Sequence, residues 1–198
     1  MNKCANRYYR QKSSLQTLIT ALIQHSRAPL LLKFAFGPLT SEVDSILANL
    51  CSKTLNITTG IPYHQILYSF RISRNDFRGA ASILYDRLQR LKSSSEKAQD
   101  PRDESIVQCY GLLVNTLCSV GEEEAYVLAE QRVVDAGANG FGGGLGKGIG
   151  KGKGRRGRRV VTLEMVRREF QEELDRVGRI ERGSFAFIGG EWGDEDVL

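Results

Sequence analysis

Three Gly-Lys pairs, at 146–147, 150–151 and 152–153, are the first residues of this 198-residue chain that invite chemistry. Backbone amides of a glycine-rich turn followed by a lysine can cradle a phosphate, provided a Ser or Thr follows to hold magnesium. Here each lysine is followed by glycine, and the positions five before the paired glycines are Phe141, Leu145 and Lys147 rather than Gly. A G-x-G-x-x-G run does occur at Gly152, Gly154 and Gly157. A dinucleotide fingerprint, however, follows a strand and opens a helix within a βαβ unit, and no such unit surrounds it. The bland alternative, a flexible glycine-rich connection, suits this segment better.

The same segment could instead do electrostatic work. Lys147, Lys151, Lys153, Arg155, Arg156, Arg158 and Arg159 lie together with no acid among them. Removing these seven from the net charge of +5 leaves −2 for the rest of the chain. Each could neutralise one phosphate, giving weak, salt-sensitive nucleic-acid contact without sequence preference. Such a cluster could equally be an import signal or a solvated linker. Phe141 is the segment's one aromatic side chain, so base stacking adds little.

Other reactive residues are sparse. His25 and His64 are the two histidines, and neither has a Cys or acid at ligand spacing, so neither a metal nor a catalytic site is expected. The four cysteines lack a CxxC, and three of them sit inside helical patterns, which points to a reduced, intracellular setting. No cofactor and no small-molecule substrate is expected. The most apolar run, Ala28 to Phe36, is broken by Pro29 and Lys33, so no transmembrane segment is expected either.

The elements carrying these residues are nearly all helical in period. Leu15, Leu18, Ile19, Leu22 and Ile23 define a first helix ending before Pro29. Ser41 and Asp44 have capping-box spacing ahead of Val43, Ile46, Leu47 and Leu50. Pro62 suits a first helical position before Tyr63, Ile66, Leu67 and Phe70. Asp76 can cap a helix bearing Phe77, Ala80, Ala81, Leu84, Leu88 and Leu91, and these last two helices read as an antiparallel hairpin. Asp100-Pro101 opens a helix with Ile106, Tyr110, Leu113, Val114 and Leu117; Glu122-Glu123-Glu124 opens a short one with Val127 and Leu128.

Residues 135–159 show no periodicity and almost no large apolar side chain, so they are expected to stay disordered. Thr162 is a plausible N-cap for a strongly amphipathic helix with Leu163, Val166, Phe170, Leu174, Val177 and Ile180 on one face. No strand pair is expected. The predicted fold is all-α: an α-solenoid-like stack of antiparallel helix pairs over 1–134, a basic Gly-rich linker over 135–159, an amphipathic C-terminal helix over 160–184 and a loose acidic tail over 185–198.

The run Tyr63-His64-Gln65-Ile66-Leu67-Tyr68-Ser69-Phe70-Arg71-Ile72, continuing through Asn75-Asp76-Phe77-Arg78-Gly79-Ala80-Ala81 and Leu88-Gln89-Arg90-Leu91, resembles the C-terminal helical region of the nucleoporin 120/160 family. The resemblance extends upstream to the Leu15–Leu22 helix and downstream through Tyr110–Leu117 to Glu124-Ala125-Tyr126. Arg159–Phe187 resembles the closing helix of fungal members. These are helix-packing motifs, so the resemblance implies a scaffold and carries over no active site. It implies a non-enzymatic component of the Y-shaped coat of the nuclear pore, at the nuclear envelope. The partners implied are other helical scaffold nucleoporins, and the role implied is support of protein import and mRNA export. The β-propeller and much of the helical body that precede this region in the family are absent, so the chain looks like a C-terminal piece. The end of a helical stack leaves an apolar edge that needs a cap or a partner. Leu163, Val166, Phe170, Leu174 and Val177 are the candidate partner-binding residues.

Overall fold

The computed structural model describes residues 3–57, 59–94, 104–130 and 158–182. Helices α1 (Lys3–Gln24), α2 (Pro29–Lys33), α3 (Thr40–Lys53), α4 (Tyr63–Ile72), α5 (Phe77–Ser93) and α6 (Ser105–Cys118) follow one another along the chain. A strand β1 (Tyr126–Glu130) comes next, and strand β2 (Arg158–Thr162) runs directly into the last helix, α7 (Leu163–Glu181). Among the described residues, no helix is long and apolar enough to cross a membrane.

Two apolar clusters hold these elements. In the first, Ile19, Leu31, Val43, Leu47, Leu67 and Phe70 are buried where α1 to α4 meet. In the second, Leu84, Leu88, Leu113 and Leu117 join α5 to α6, with Val127, Val161 and Val166 closing one side. Each such side chain contributes roughly 1.5–3 kcal/mol on leaving water, so the two clusters dominate the stability. Over residues 11–24 of α1 the buried positions are Leu15, Ile19 and Ile23, while Leu18 is 49% exposed. The stripe is therefore narrower than the periodicity suggests.

The α4–α5 hairpin forms as its sequence predicts. The chain reverses at Asn75, whose φ of 60° is the left-handed conformation that asparagine tolerates. Asp76 then caps α5 by accepting a 2.9 Å bond from the Gly79 amide. Ala80 and Ala81 are fully buried and let a neighbouring helix approach closely. Arginines fasten the layers. Arg71 donates to both carboxylate oxygens of Asp44 at 2.7 and 2.8 Å, tying α4 to α3, and its third bond reaches the Gly79 carbonyl. Arg90 donates to the Cys51 and Thr54 carbonyls at the end of α3, at 3.2 and 3.0 Å. Arg74 does the same after α2, reaching the Phe34 carbonyl at 3.0 Å with its guanidinium 3.8 Å from the Phe70 ring centroid. Arg90 and Arg74 thus meet the carbonyl ends of α3 and α2, where the backbone dipole is negative.

Four local expectations give way. The capping box at Ser41 does not form: α3 starts at Thr40 with no side-chain cap, and Asp44 is drawn to Arg71 instead. A buried guanidinium offers a carboxylate a stronger, two-pronged bond than a backbone amide does. Pro62 stands just before α4 rather than inside it. The helix expected around Val127 and Leu128 is a single 3-10 turn at Glu122–Glu124 followed by β1. And β1 pairs antiparallel with β2, Val127 opposite Val161 and Leu128 opposite Val160. Val127 and Val161 are buried, whereas Leu128 and Val160 are 44% and 50% exposed. That alternation is the period of a strand; on a helix, adjacent Val127 and Leu128 would share a side. Arg158 and Arg159 thus belong to β2 rather than to a linker, and Asp100-Pro101 lies outside the described residues.

Candidate partner-binding surface

Helix α7 is positioned from its first turn. The Thr162 hydroxyl accepts a 3.4 Å bond from the Met165 amide, the N-cap expected there, and the Leu163 amide donates to the Ala125 carbonyl at 3.0 Å. The chain therefore leaves β2 and immediately lays α7 against α6. Val166 is 1% exposed. Leu163, Met165 and Phe170 press on the same cluster, and the Phe170 ring stacks on Tyr110 with centroids 5.6 Å apart and planes 21° from parallel.

A polar clamp accompanies this contact. The Tyr110 hydroxyl donates to Glu169 Oε2 at 3.0 Å, Lys92 Nζ donates to the same oxygen at 3.3 Å, and Lys92 also stands 4.9 Å from the centre of the Tyr110 ring. Burial, reinforced by the Glu169 carboxylate, raises the Tyr110 phenol well above its ordinary pKa, so it remains a donor. Arg167 reaches Cys118 Sγ at 3.2 Å near the end of α6.

Of the five residues expected to bind a partner, Leu163, Val166 and Phe170 are therefore turned into the chain's own core. Leu174 is 39% exposed, and Val177 is half-buried. The helix divides into an anchoring half and a distal half that carries the remaining apolar stripe. Lys147, Lys151, Lys153, Arg155 and Arg156 lie outside the described residues, whereas Arg158 and Arg159 are exposed on β2, opposite Glu130 and Ala129.

Burial pushes the Cys51 thiol up to about 12 and the Cys109 thiol up to about 11, so neither is a thiolate at neutral pH. Among the described residues no group of His, Cys, Asp and Glu is placed to hold a metal ion. Glu169 was invisible to sequence reasoning, because a lone glutamate on a polar helix face carries no signal of the tyrosine that will meet it. Tyr110 is legible only as a core position.

Residues 1–118 match the family model described as the NUP160/120 middle TPR, ending at the last residue of α6. The chain is 38% identical over 132 residues to the nucleoporin NUP120 of Chaetomium thermophilum, covering 61% of this chain and 10% of that one. It is 26% identical over 125 residues to the nucleoporin nup120 of Schizosaccharomyces pombe, covering 63% of this chain and 11% of the relative. To the nuclear pore complex protein Nup160 homolog of Drosophila melanogaster it is 27% identical over 106 residues, covering 52% and 7%. The chain thus spans about a tenth of the length of these relatives. The matched model does not extend over β1, β2 and α7. Helical hairpins stacked over two apolar clusters are what such a region requires, and with the model matching more than half of its length the chain belongs to the nucleoporin 160/120 family.

Proposed function

We propose that this chain is a structural component of the nuclear pore scaffold at the nuclear envelope. It acts within the arm of the Y-shaped complex and supports passage of protein and mRNA through contacts with other helical scaffold nucleoporins. The reading involves no catalysis, cofactor or small-molecule substrate. The observation that carries it is the division of α7: Val166 and Phe170 cap the chain's own stack, while the stripe continues outward through the 39% exposed Leu174 to Val177. A helix whose apolar stripe runs on past its own contact with α6 offers a partner helix a surface to pack against. Within this reading 1–134 and 160–184 act as one folded unit, and 135–159 and 185–198 are accessory to it.

The test is a pull-down of the whole chain with the helical scaffold nucleoporins of the Y complex, repeated after deletion of residues 160–183. Binding that is unchanged by the deletion removes α7 from the interface, and no binding by either form removes the scaffold reading. A second reading, weak nucleic-acid contact through 145–159, is favoured by the exposure of Arg158 and Arg159 on β2. It requires RNA binding that is lost when the seven cations of that segment are replaced.

A further inference from the structure

We propose that a cleft between the start of α4, the middle of α5 and the start of α6 receives one carboxylate side chain, with an apolar neighbour, from a partner protein, and that Arg87 is its counter-ion. The proposal rests on the scaffold reading for its class of partner. The cleft measures about 330 Å³ and is lined by Gln65, Arg87 and Ser105 on its polar side and by Ile57, Ile61 and Leu91 on its apolar side.

The decisive residue is Arg87. The other inward arginines are all engaged: Arg71 by Asp44, Arg74 by the Phe34 carbonyl, and Arg90 by Asp86 and the end of α3. Arg87 is half-buried, and among the described residues its guanidinium makes no hydrogen bond or ion pair. Partly burying a cation without a partner is unfavourable, and a guanidinium presents a planar fork matched to a carboxylate. The surroundings add positive potential. Helix α4 has no side-chain cap, and the backbone amides of His64 and Gln65 in its first turn donate to no backbone carbonyl among the described residues.

The charge balance selects the anion. Asp86 is next to Arg87 in sequence and sits 3.2 Å from the Nε2 of His64, a second residue lining the cleft. With Asp86 already paired with Arg90 at 2.9 Å, Arg87 brings a single positive charge to the cleft, which one carboxylate neutralises. The apolar wall, where Ile61 is 37% exposed, accounts for the neighbouring side chain. An acidic–apolar segment of a helical partner supplies both groups.

Two measurements on the whole chain test this. In the first, binding to its helical nucleoporin partner is compared for wild type, Arg87→Lys, Arg87→Glu and Arg87→Met; the last keeps the apolar stem and guards against misfolding, which thermal melts report. Loss of about tenfold or more in affinity is expected for the Glu and Met variants, with Lys intermediate. Wild-type affinity in all three variants overturns the proposal and leaves the scaffold reading standing. In the second, amide signals of Gln65 and Arg87 are followed by NMR while capped Leu-Glu dipeptide, capped Leu-Gln dipeptide or inorganic phosphate is added. Shifts with Leu-Glu alone support the site, even if no nucleoporin partner binds and the scaffold reading fails. Equal shifts with Leu-Gln or with phosphate overturn the carboxylate assignment. If the same signals move when residues 183–198 are deleted, the chain's own acidic tail is the occupant, and a partner is not.

Discussion

Tyr110 and Glu169, 59 positions apart in sequence, meet across the α6–α7 contact in a 3.0 Å hydrogen bond that Lys92 shares from α5. One carboxylate thus fastens three helices, and the ring above it stacks on Phe170. Tyr110→Phe keeps the stack and removes the donor, so a loss of about 1–2 kcal/mol in denaturant unfolding is expected. Tyr110→Ala removes both, with an expected loss of about 3–5 kcal/mol. A Phe variant as stable as wild type would show that the clamp orients α7 without stabilising it.

The two halves of α7 are predicted to respond in opposite ways. Val166→Ala empties a site that is 1% exposed and should cost about 1–2.5 kcal/mol. Leu174→Ala, at 39% exposure, should leave stability within about 0.5 kcal/mol yet weaken binding to the helical partner. Unfolding curves set beside partner titrations separate these roles; equal stability losses at both positions would mean that α7 is a cap along its whole length.

Asp44→Ala should destabilise the first cluster by about 2–3 kcal/mol, since it strands the Arg71 guanidinium, 16% exposed, between α3 and α5. The Asp44 hydrogen bond is also what raises the Arg71 pKa most, so the guanidinium stays charged. Asp44→Asn retains an acceptor and should lose less. Near-identical melting of the Ala variant and wild type would count against this pair as the tie between α3 and α4.

Alkaline pH should weaken the fold through its buried thiols. In the unfolded chain Cys51 and Cys109 ionise near 9.0, whereas burial holds them protonated to about 12 and about 11. Above pH 9.0 the unfolded state therefore binds fewer protons than the folded one, and stability falls as pH rises. The expected slope is up to about 1.4 kcal/mol per pH unit for each thiol, and it flattens above pH 11 for Cys109 and pH 12 for Cys51. Cys51→Ala and Cys109→Ala should each remove one thiol's share; a double variant with the wild-type alkaline slope would exclude the thiols as its source.

The features legible in the sequence are those set within one or two helical turns. The Asp76 cap and the stripes of α4, α5 and α6 are local, and each survives in the structure. Ser41 and Asp44 were just as local in pattern, but Arg71, 27 positions away, competes for the carboxylate and wins. The β pair was hidden differently. Each strand has five residues with its apolar ones consecutive rather than alternating with polar ones, and the run of glutamates before β1 imitates the start of a helix. On α7 the amphipathic stripe was readable, but which half faces its own fold depends on Tyr110 and on the α6 surface, which no local pattern reports.

The pairing of Glu130 with Arg158 has one more consequence. Because the two strands are registered side by side, positions 130 and 158 are held next to each other, and the connection between the strands starts and ends at one place on the fold. For a flexible connection, the entropy of such a closure rises only logarithmically, by about 0.6 kcal/mol for each doubling of length. A change in the number of residues between the two strands thus costs little closure entropy as long as the Glu130–Arg158 register is kept.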